Sequence, residues 1–357
     1  MRRGILLVAL AVCRPLCGQE PEYFEPPPPQ PKFTLRWEAL FRYDSISQLR
    51  VRPDIERGRF EVRPELAFAP SDRFKAAVRA VANIGTDENR ENARNFDNYR
   101  SDGAMVDRLY VEVRPGAWTV LAGQFGMPLV ASEMLWDRDL STPGAAVSHQ
   151  LATGASTLTL SGAALFSPQR EGDTTRIFAG QAVWRGGDVD RFAVEAGAAY
   201  WDFDVEDLKN HLVRQNSSEP YGGGQRPESG FRLADLLVRL RFPALRLPVT
   251  VSLEGIHNFE ADGKNRDAFE GAVAIGSVGT PGTWRAFYMF QYVERDAVVG
   301  AYNTDDWWFH SRYRGHRAGV AVTLLPQVYV QGAFLVQKRL DLKTWLNRIT
   351  LDLVKTF

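Results

Sequence analysis

Phe33-Thr34-Leu35-Arg36-Trp37-Glu38-Ala39-Leu40-Phe41-Arg42-Tyr43 is the stretch that decides the fold. In an extended chain successive side chains point to opposite faces. Phe33, Leu35, Trp37, Ala39, Phe41 and Tyr43 therefore share one face, and Thr34, Arg36, Glu38, Leu40 and Arg42 share the other. One face is oily and its opposite is charged. The pattern recurs at once: Phe60, Val62, Pro64, Leu66 and Phe68 stand against Arg59, Glu61, Arg63, Glu65 and Ala67. A third run sets Phe74, Ala76, Val78, Ala80, Ala82 and Ile84 against Lys75, Ala77, Arg79, Val81 and Asn83. A soluble sandwich alternates too, so length has to decide. These runs extend about ten to twelve residues. Soluble strands average roughly 5–6 residues, whereas strands that cross a bilayer need about 9–11. The oily face is thus expected to meet lipid and the charged face to line an interior.

Working outward, about sixteen such segments (bounds 14 to 18) run to the end of the chain. The connections between them sort by length. Tight ones carry turn residues: Pro70-Ser71-Asp72, Pro115-Gly116, Ala152-Thr153-Gly154, Gly186-Gly187-Asp188, Pro243-Ala244, Thr280-Pro281-Gly282 and Leu325-Pro326. Gly and Pro supply the backbone angles that tight turns require. Between them lie longer polar segments at 44–57, 85–103, 127–143, 203–230 and 296–308, with shorter ones near 168–173, 260–266 and 339–343. Outer-membrane barrels pair short periplasmic turns with long outer loops. The expected fold is all-β: a transmembrane antiparallel up-and-down β-barrel over residues 33–357, with both ends of the sheet on the periplasmic side. In the last strand, Ile349, Leu351, Leu353 and Phe357 share a face. A terminal Phe of this kind resembles the signal read by barrel-assembly machinery, although Lys355 departs from that pattern.

The start of the chain reads as a processing segment. Arg2 and Arg3 precede the apolar run Ile5–Val12, and small or polar residues follow to Gly18 and Gln19. This predicts a secretory signal peptide over 1–18, too short to span a membrane. Both cysteines, Cys13 and Cys17, fall inside it, so the mature chain is expected to have none. Leu10-Ala11-Val12-Cys13 and Arg14-Pro15-Leu16-Cys17 resemble a lipid-attachment box, each with one departure: Val12 is bulky before Cys13, and Arg14 opens the second. Residues 19–32 hold Pro21, Pro26 to Pro29 and Pro31, a run that favours polyproline II and reads as a periplasmic lead-in. Lys plus Arg and Asp plus Glu both number 43, and mean hydropathy is −0.26. That balance excludes the clustered basic face a nucleic-acid partner needs.

Several stretches together resemble the porin family of Gram-negative outer membranes, distantly akin to phosphate-selective porins. They are Val106-Asp107-Arg108-Leu109-Tyr110-Val111-Glu112-Val113, Leu121-Ala122-Gly123-Gln124-Phe125-Gly126, Leu135-Trp136-Asp137-Arg138-Asp139-Leu140 and Gly144-Ala145-Ala146-Val147, followed by Tyr292-Val293-Glu294-Arg295-Asp296-Ala297 and Gly315-His316-Arg317-Ala318-Gly319. The resemblance implies a water-filled channel for passive diffusion of small hydrophilic solutes or ions, set in outer-membrane lipid, with no catalytic residues. Porins of this size are often homotrimers. The alternatives are a plugged structural or adhesin-type barrel and, more remotely, a hydrolase at the rim.

Chemistry beyond diffusion finds no support. His149, His211, His257, His310 and His316 are scattered as surface or loop histidines, with no zinc-ligand spacing. Neither a metal nor a cofactor is expected. Gly222-Gly223-Gly224 reads as a flexible outer loop, not a phosphate loop. Asn216-Ser217-Ser218 matches a glycosylation pattern that means little in a bacterial barrel.

The pore-lining candidates are Arg36, Arg42, Arg59, Arg63, Lys75 and Arg79, with Glu38, Glu61 and Glu65 among them. A basic ladder would favour anions; Arg and Glu neutralising each other would not. The third long connection holds Glu133, Trp136, Asp137, Arg138 and Asp139. These are constriction candidates if the loop folds inward. If it caps the outside, they are not.

Overall fold

A strand with one oily and one charged face must pair its backbone on both edges before it can sit in lipid. In the computed structural model, β1 (Phe33–Ser47) does so with β2 (Ile55–Ser71) on one side and β18 (Leu346–Thr356) on the other. The residues described are 32–48, 54–86, 103–167, 175–206, 208, 213, 216–221, 224–244 and 246–356. The expected signal peptide, nearly all of the Pro-rich lead-in and Phe357 lie outside them.

From β2 the sheet runs through β3 (Phe74–Gly85), β4 (Gly103–Val113), β5 (Trp118–Gly126), β6 (Ser141–Thr153), β7 (Ser156–Phe166), β8 (Arg176–Asp188) and β9 (Phe192–Asp204). It continues through β12 (Phe231–Ala244), β13 (Leu247–Asn258), β14 (Asp267–Gly276), β15 (Trp284–Val293), β16 (Tyr313–Leu325), β17 (Val328–Arg339) and β18. The short strands β10 (Ser218–Tyr221) and β11 (Gly224–Pro227) form a separate hairpin within the connection between β9 and β12. The sixteen long strands form one closed antiparallel barrel. Closure is direct: Glu38 faces Thr356, Phe41 faces Leu353 and Ser47 faces Asn347 across the β1–β18 seam.

The expected face assignment holds around the ring. Leu35, Phe41, Leu236, Leu253, Leu351 and Leu353 are exposed on the outer surface. Arg59, Glu61, Arg317, Arg348 and Asp352 are buried inside it. This is a soluble protein's distribution turned inside out, as a lipid-facing barrel demands. Register sets opposite charges across from one another on the inner face: Arg36 with Glu65, Glu38 with Arg63, and Asp44 with Arg57.

Strand ends differ from the sequence reading in a consistent way. Asp44–Ser47 and Ile55–Arg57 belong to strands, not to the first long connection. Polarity there does not end the strand because Asp44 is satisfied inside: Arg57 and Arg348 each approach it at 3.0 Å. Gly186–Asp188 closes β8 and Pro243-Ala244 closes β12, so the turns fall one step later. Gly187 earns its place by geometry: its φ is +88°, and a Cβ there would lie 2.2 Å from the Phe192 carbonyl oxygen. Gly224 begins β11 and pairs with Tyr221; residues 222–223 of that glycine run lie outside the described set.

The lipid face makes a clear prediction. Phe41 is half exposed on the outer wall. Phe41→Arg should destabilise the barrel by about 2–4 kcal/mol, the penalty for a cation on the lipid face near the midplane. Denaturant unfolding from lipid vesicles measures this; an unchanged midpoint would contradict the face assignment.

Candidate functional site

The third long connection (127–140) carries Leu129, Met134, Leu135, Trp136 and Leu140, all buried. A polar outer loop has no reason to hold such a run, and here it has somewhere to go. Val130 donates from its backbone N–H to Gln181 of β8 at 2.9 Å, and the Gln181 amide donates back to the Val130 carbonyl at 2.6 Å. The Ser132 N–H reaches Glu254 of β13 at 3.3 Å. Trp136 stacks on Trp201 of β9 with ring centroids 6.4 Å apart. Asp139 receives a two-pronged bond from Arg63 of β2 at 2.7 and 2.8 Å. Glu133 lies 3.2 Å from Arg317 of β16. A loop that touches strands on opposite sides of a closed ring must cross the inside of that ring.

The seventh connection (294–312) joins it. The Asp137 N–H donates to the Tyr302 carbonyl at 2.7 Å, and the Thr304 N–H to the Glu133 carbonyl at 3.1 Å. Trp136 stacks on Tyr302 at 5.4 Å. Strand side chains hold the second loop in turn. Gln337 of β17 accepts from the Trp308 and Phe309 N–H groups at 2.9 and 2.8 Å. Arg348 of β18 donates to the Asp305 carbonyl at 2.6 Å. Asn216, read as a bare glycosylation match, instead sits buried and braces this loop. Its amide donates to the Arg295 and Val298 carbonyls at 2.6 and 2.9 Å, and its oxygen accepts from the Gly300 N–H at 2.9 Å. His310, in this loop as expected of a loop histidine, is likewise buried, 2.7 Å from Asn303. Both loops pack as one apolar cluster against the wall from β5 through β17.

Where the loops meet the opposite wall the contacts turn ionic. Arg42 binds Asp352 at 2.8 Å and Asp306 of loop seven at 2.8 Å. Arg317 binds Asp306 at 2.5 Å and Glu133 at 3.2 Å, so one guanidinium ties the two loops together. Arg63 lies 2.5 Å from Glu61 as well as binding Asp139. Arg79 pairs with Asp107, and Lys75 lies 3.6 Å from Glu65 and donates to the Tyr110 hydroxyl at 2.8 Å. Arg59 is buried on the same wall, Glu38 is half-buried, and Arg36 is exposed. Of the loop candidates, Trp136 and Asp137 are buried. The Arg138 side chain is 79% exposed, with Glu133 at 3.5 Å.

Two of the loop carboxyls are held in charged form. Burial pushes Asp139 up, but the Arg63 guanidinium outweighs it and holds the carboxyl well below the usual range. Asp306 follows the same logic, with Arg317 and then Arg42 overcoming burial. Asp137 goes the other way: burial, then the neighbouring Asp139 charge, push it well above the usual range. One Asp137 oxygen accepts from the Asp139 N–H at 3.0 Å, and the other has no hydrogen-bond partner among the described residues.

Several residues that build this interior carry no sequence signal. Arg317 and Asp306 lie in stretches whose neighbours give no hint of a shared partner. Asp235, Glu254 and Glu270 sit side by side on β12, β13 and β14 beneath loop three. Alternation places each on the inner face; only the register shows that they are neighbours. Among the described residues no group of three His, Cys, Asp or Glu side chains is placed to hold a metal ion.

No protein-family model matches the chain, and no curated protein is similar to it in sequence. Solved structures do match in shape. Pseudomonas putida OprB shares 10% identity at a TM-score of 0.64, over 91% of this chain and 94% of its own. A BenF-like porin from Pseudomonas fluorescens shares 11% identity at 0.53, over 91% and 98%. Salmonella typhi OmpF, solved with daunomycin, shares 9% identity at 0.53, over 91% and 98%. At these identities the likeness is one of fold, and the fold is that of Gram-negative outer-membrane porins.

The loop carboxyls give two predictions. Removing one partner of a buried ion pair typically costs about 3–5 kcal/mol, because the other charge is left stranded. Arg317→Ala takes the more buried cation from both loops, leaving Glu133 only the exposed Arg138 and Asp306 only Arg42. It should expose residues 127–140 and 294–312 to limited proteolysis in the folded barrel, where the unaltered protein resists; equal resistance would contradict the bridging role. Asp137 titrates with the opposite sign to its neighbours. A carboxyl raised in the fold loses favourable energy as pH climbs from about 4 through its folded value. Asp137→Asn should therefore slow hydrogen exchange in 127–140 at pH 8 and leave it unchanged near pH 4. Faster exchange at pH 8 would contradict the burial argument.

Proposed function

We propose that this barrel is a porin: a passive, water-filled channel for small hydrophilic solutes and ions, set in a bacterial outer membrane. The observation that carries this reading is Arg138. It projects from a loop inside the ring, yet its side chain stays 79% exposed. A charge that is wet inside a barrel needs connected water around it. The passage then lies between loop three and the wall from β1 to β4, with Glu133, Arg138 and Asp139 as its narrowing edge. The apolar packing of loops three and seven favours a partial plug over an open tube, which narrows the channel without filling it. Outer-membrane lipid is the expected surround, and a homotrimer the expected assembly, on likeness of fold.

The ion preference rests on which charges remain uncompensated. Arg42, Arg63, Lys75 and Arg79 of the basic ladder all have carboxylates within ion-pair reach. That favours a neutralising network along this wall. Arg36 and Arg285 are exposed on the inner face, Arg108 borders the loop-three edge, and Arg138 there has only the Glu133 carboxylate that it shares with Arg317. These four are the better source of an anion preference.

Reversal potentials across a salt gradient test this preference. They are best taken near 0.1 M, where screening acts over ~10 Å. The unaltered protein should favour chloride over potassium, and neutralising Arg36, Arg108 and Arg138 together should abolish the preference. Cation preference in the unaltered protein would overturn it. Deleting 133–139 should raise single-channel conductance; an unchanged value would remove loop three from the passage.

A further inference from the structure

A cavity of about 390 Å³ opens between the first leg of loop three and the β4–β5 wall. That is within the usual range of small-molecule sites, roughly 300–1,000 Å³. Its lining mixes two kinds of group: Arg108, Arg138 and Tyr110 are polar, and Phe125, Leu129 and Trp136 are apolar. Glu112 also borders it but is bonded to Arg114.

Neither guanidinium has a carboxylate ion-paired to it alone among the described residues. Arg108 donates to the neutral Ser141 hydroxyl at 3.0 Å, and no carboxylate forms an ion pair with it among the described residues. Arg138 has Glu133 at 3.5 Å, and that carboxylate is shared with the more buried Arg317. The Tyr110 hydroxyl accepts from Lys75 at 2.8 Å, which leaves its own proton free to donate. Gly126 makes room for this arrangement. A Cβ at that position would stand 2.7 Å from Arg108 Nη2 and 3.1 Å from Cζ.

We propose that this cavity is a docking site for small monocarboxylates with a hydrocarbon or aromatic body, met in transit; the transit, though not the site, rests on the channel reading above. An inorganic anion gains nothing from the apolar groups. A neutral hydrocarbon gains nothing from the guanidinium groups. Sugars would want many neutral polar partners, which this lining does not offer. A carboxylate with an apolar body uses both kinds of group, and an arginine fork suits its two oxygens.

Benzoate, acetate and benzyl alcohol are the probes. Millimolar benzoate should reduce chloride current through the folded barrel in planar bilayers; acetate and benzyl alcohol should do so far less. The double variant Arg108→Gln with Arg138→Gln should weaken the benzoate effect about tenfold, the loss expected for one charge-assisted contact. Gly126→Ala should weaken it too, by displacing Arg108 without removing any charge. Benzoate binding to the detergent-solubilised barrel, followed by calorimetry, reads the site without current. Binding lost in the double variant while the unaltered protein passes no current would keep the site and sink the channel. Current without benzoate selectivity, or selectivity unchanged in the double variant, would overturn the site and leave the channel standing. Circular dichroism of each variant checks that its barrel has folded.

Discussion

Everything in this molecule depends on the closure of one hydrogen-bonded ladder. Lipid offers no partner for a backbone N–H or C=O, so a sheet can cross a bilayer only if it has no free edge. The pairing of β1 with β18 removes that edge. Once the ring is closed, every strand must present one face to lipid and one to the interior. The oily and charged faces of Phe33–Tyr43 are the direct imprint of that requirement. So is the sorting of connections, since an up-and-down ring places alternate connections at opposite ends.

Closure creates a second problem, which the loops resolve. A ring of sixteen strands is wide enough to leave an aqueous space. This chain narrows that space with two of its long connections, bound to each other by paired backbone hydrogen bonds and by Arg317. On one side they bury apolar surface against the wall, and on the other they meet it with ion pairs. An ion pair in a half-dry interior is poor at adding stability but costly to break singly. Its effect is to fix position: Arg63 on Asp139 and Arg42 on Asp306 decide where each loop can rest.

The fold was legible because it is written in two redundant signals, period and loop length. The class, the approximate strand count and the inward face of each candidate in β1–β3 all follow from alternation. The buried apolar run in 127–140 also had a signal, since Leu135 and Trp136 are out of place on an exposed loop. Loop seven was read as an ordinary polar connection because Asp305, Asp306, Asn303 and Thr304 dominate its composition. Two of them have inward partners: Asp306 binds Arg42 and Arg317, and Asn303 meets His310. The strand end near Asp44 differs for a related reason: polarity ends a strand only where the interior cannot satisfy it. Pairings such as Arg42 with Asp306, 264 residues apart, depend on register around the whole ring, which local sequence does not carry.

The central claim is that water passes through this barrel beside a loop folded across its interior. The most direct test places a single thiol at the loop's exposed edge. Arg138→Cys, in a chain from which residues 1–18 have been removed, gives a barrel with one cysteine. A charged thiosulfonate reagent is then added while single-channel current is recorded. The account predicts a stepwise fall in current as the thiol is modified, reversed on reduction. A folded barrel whose thiol never reacts, or reacts without changing the current, would contradict it.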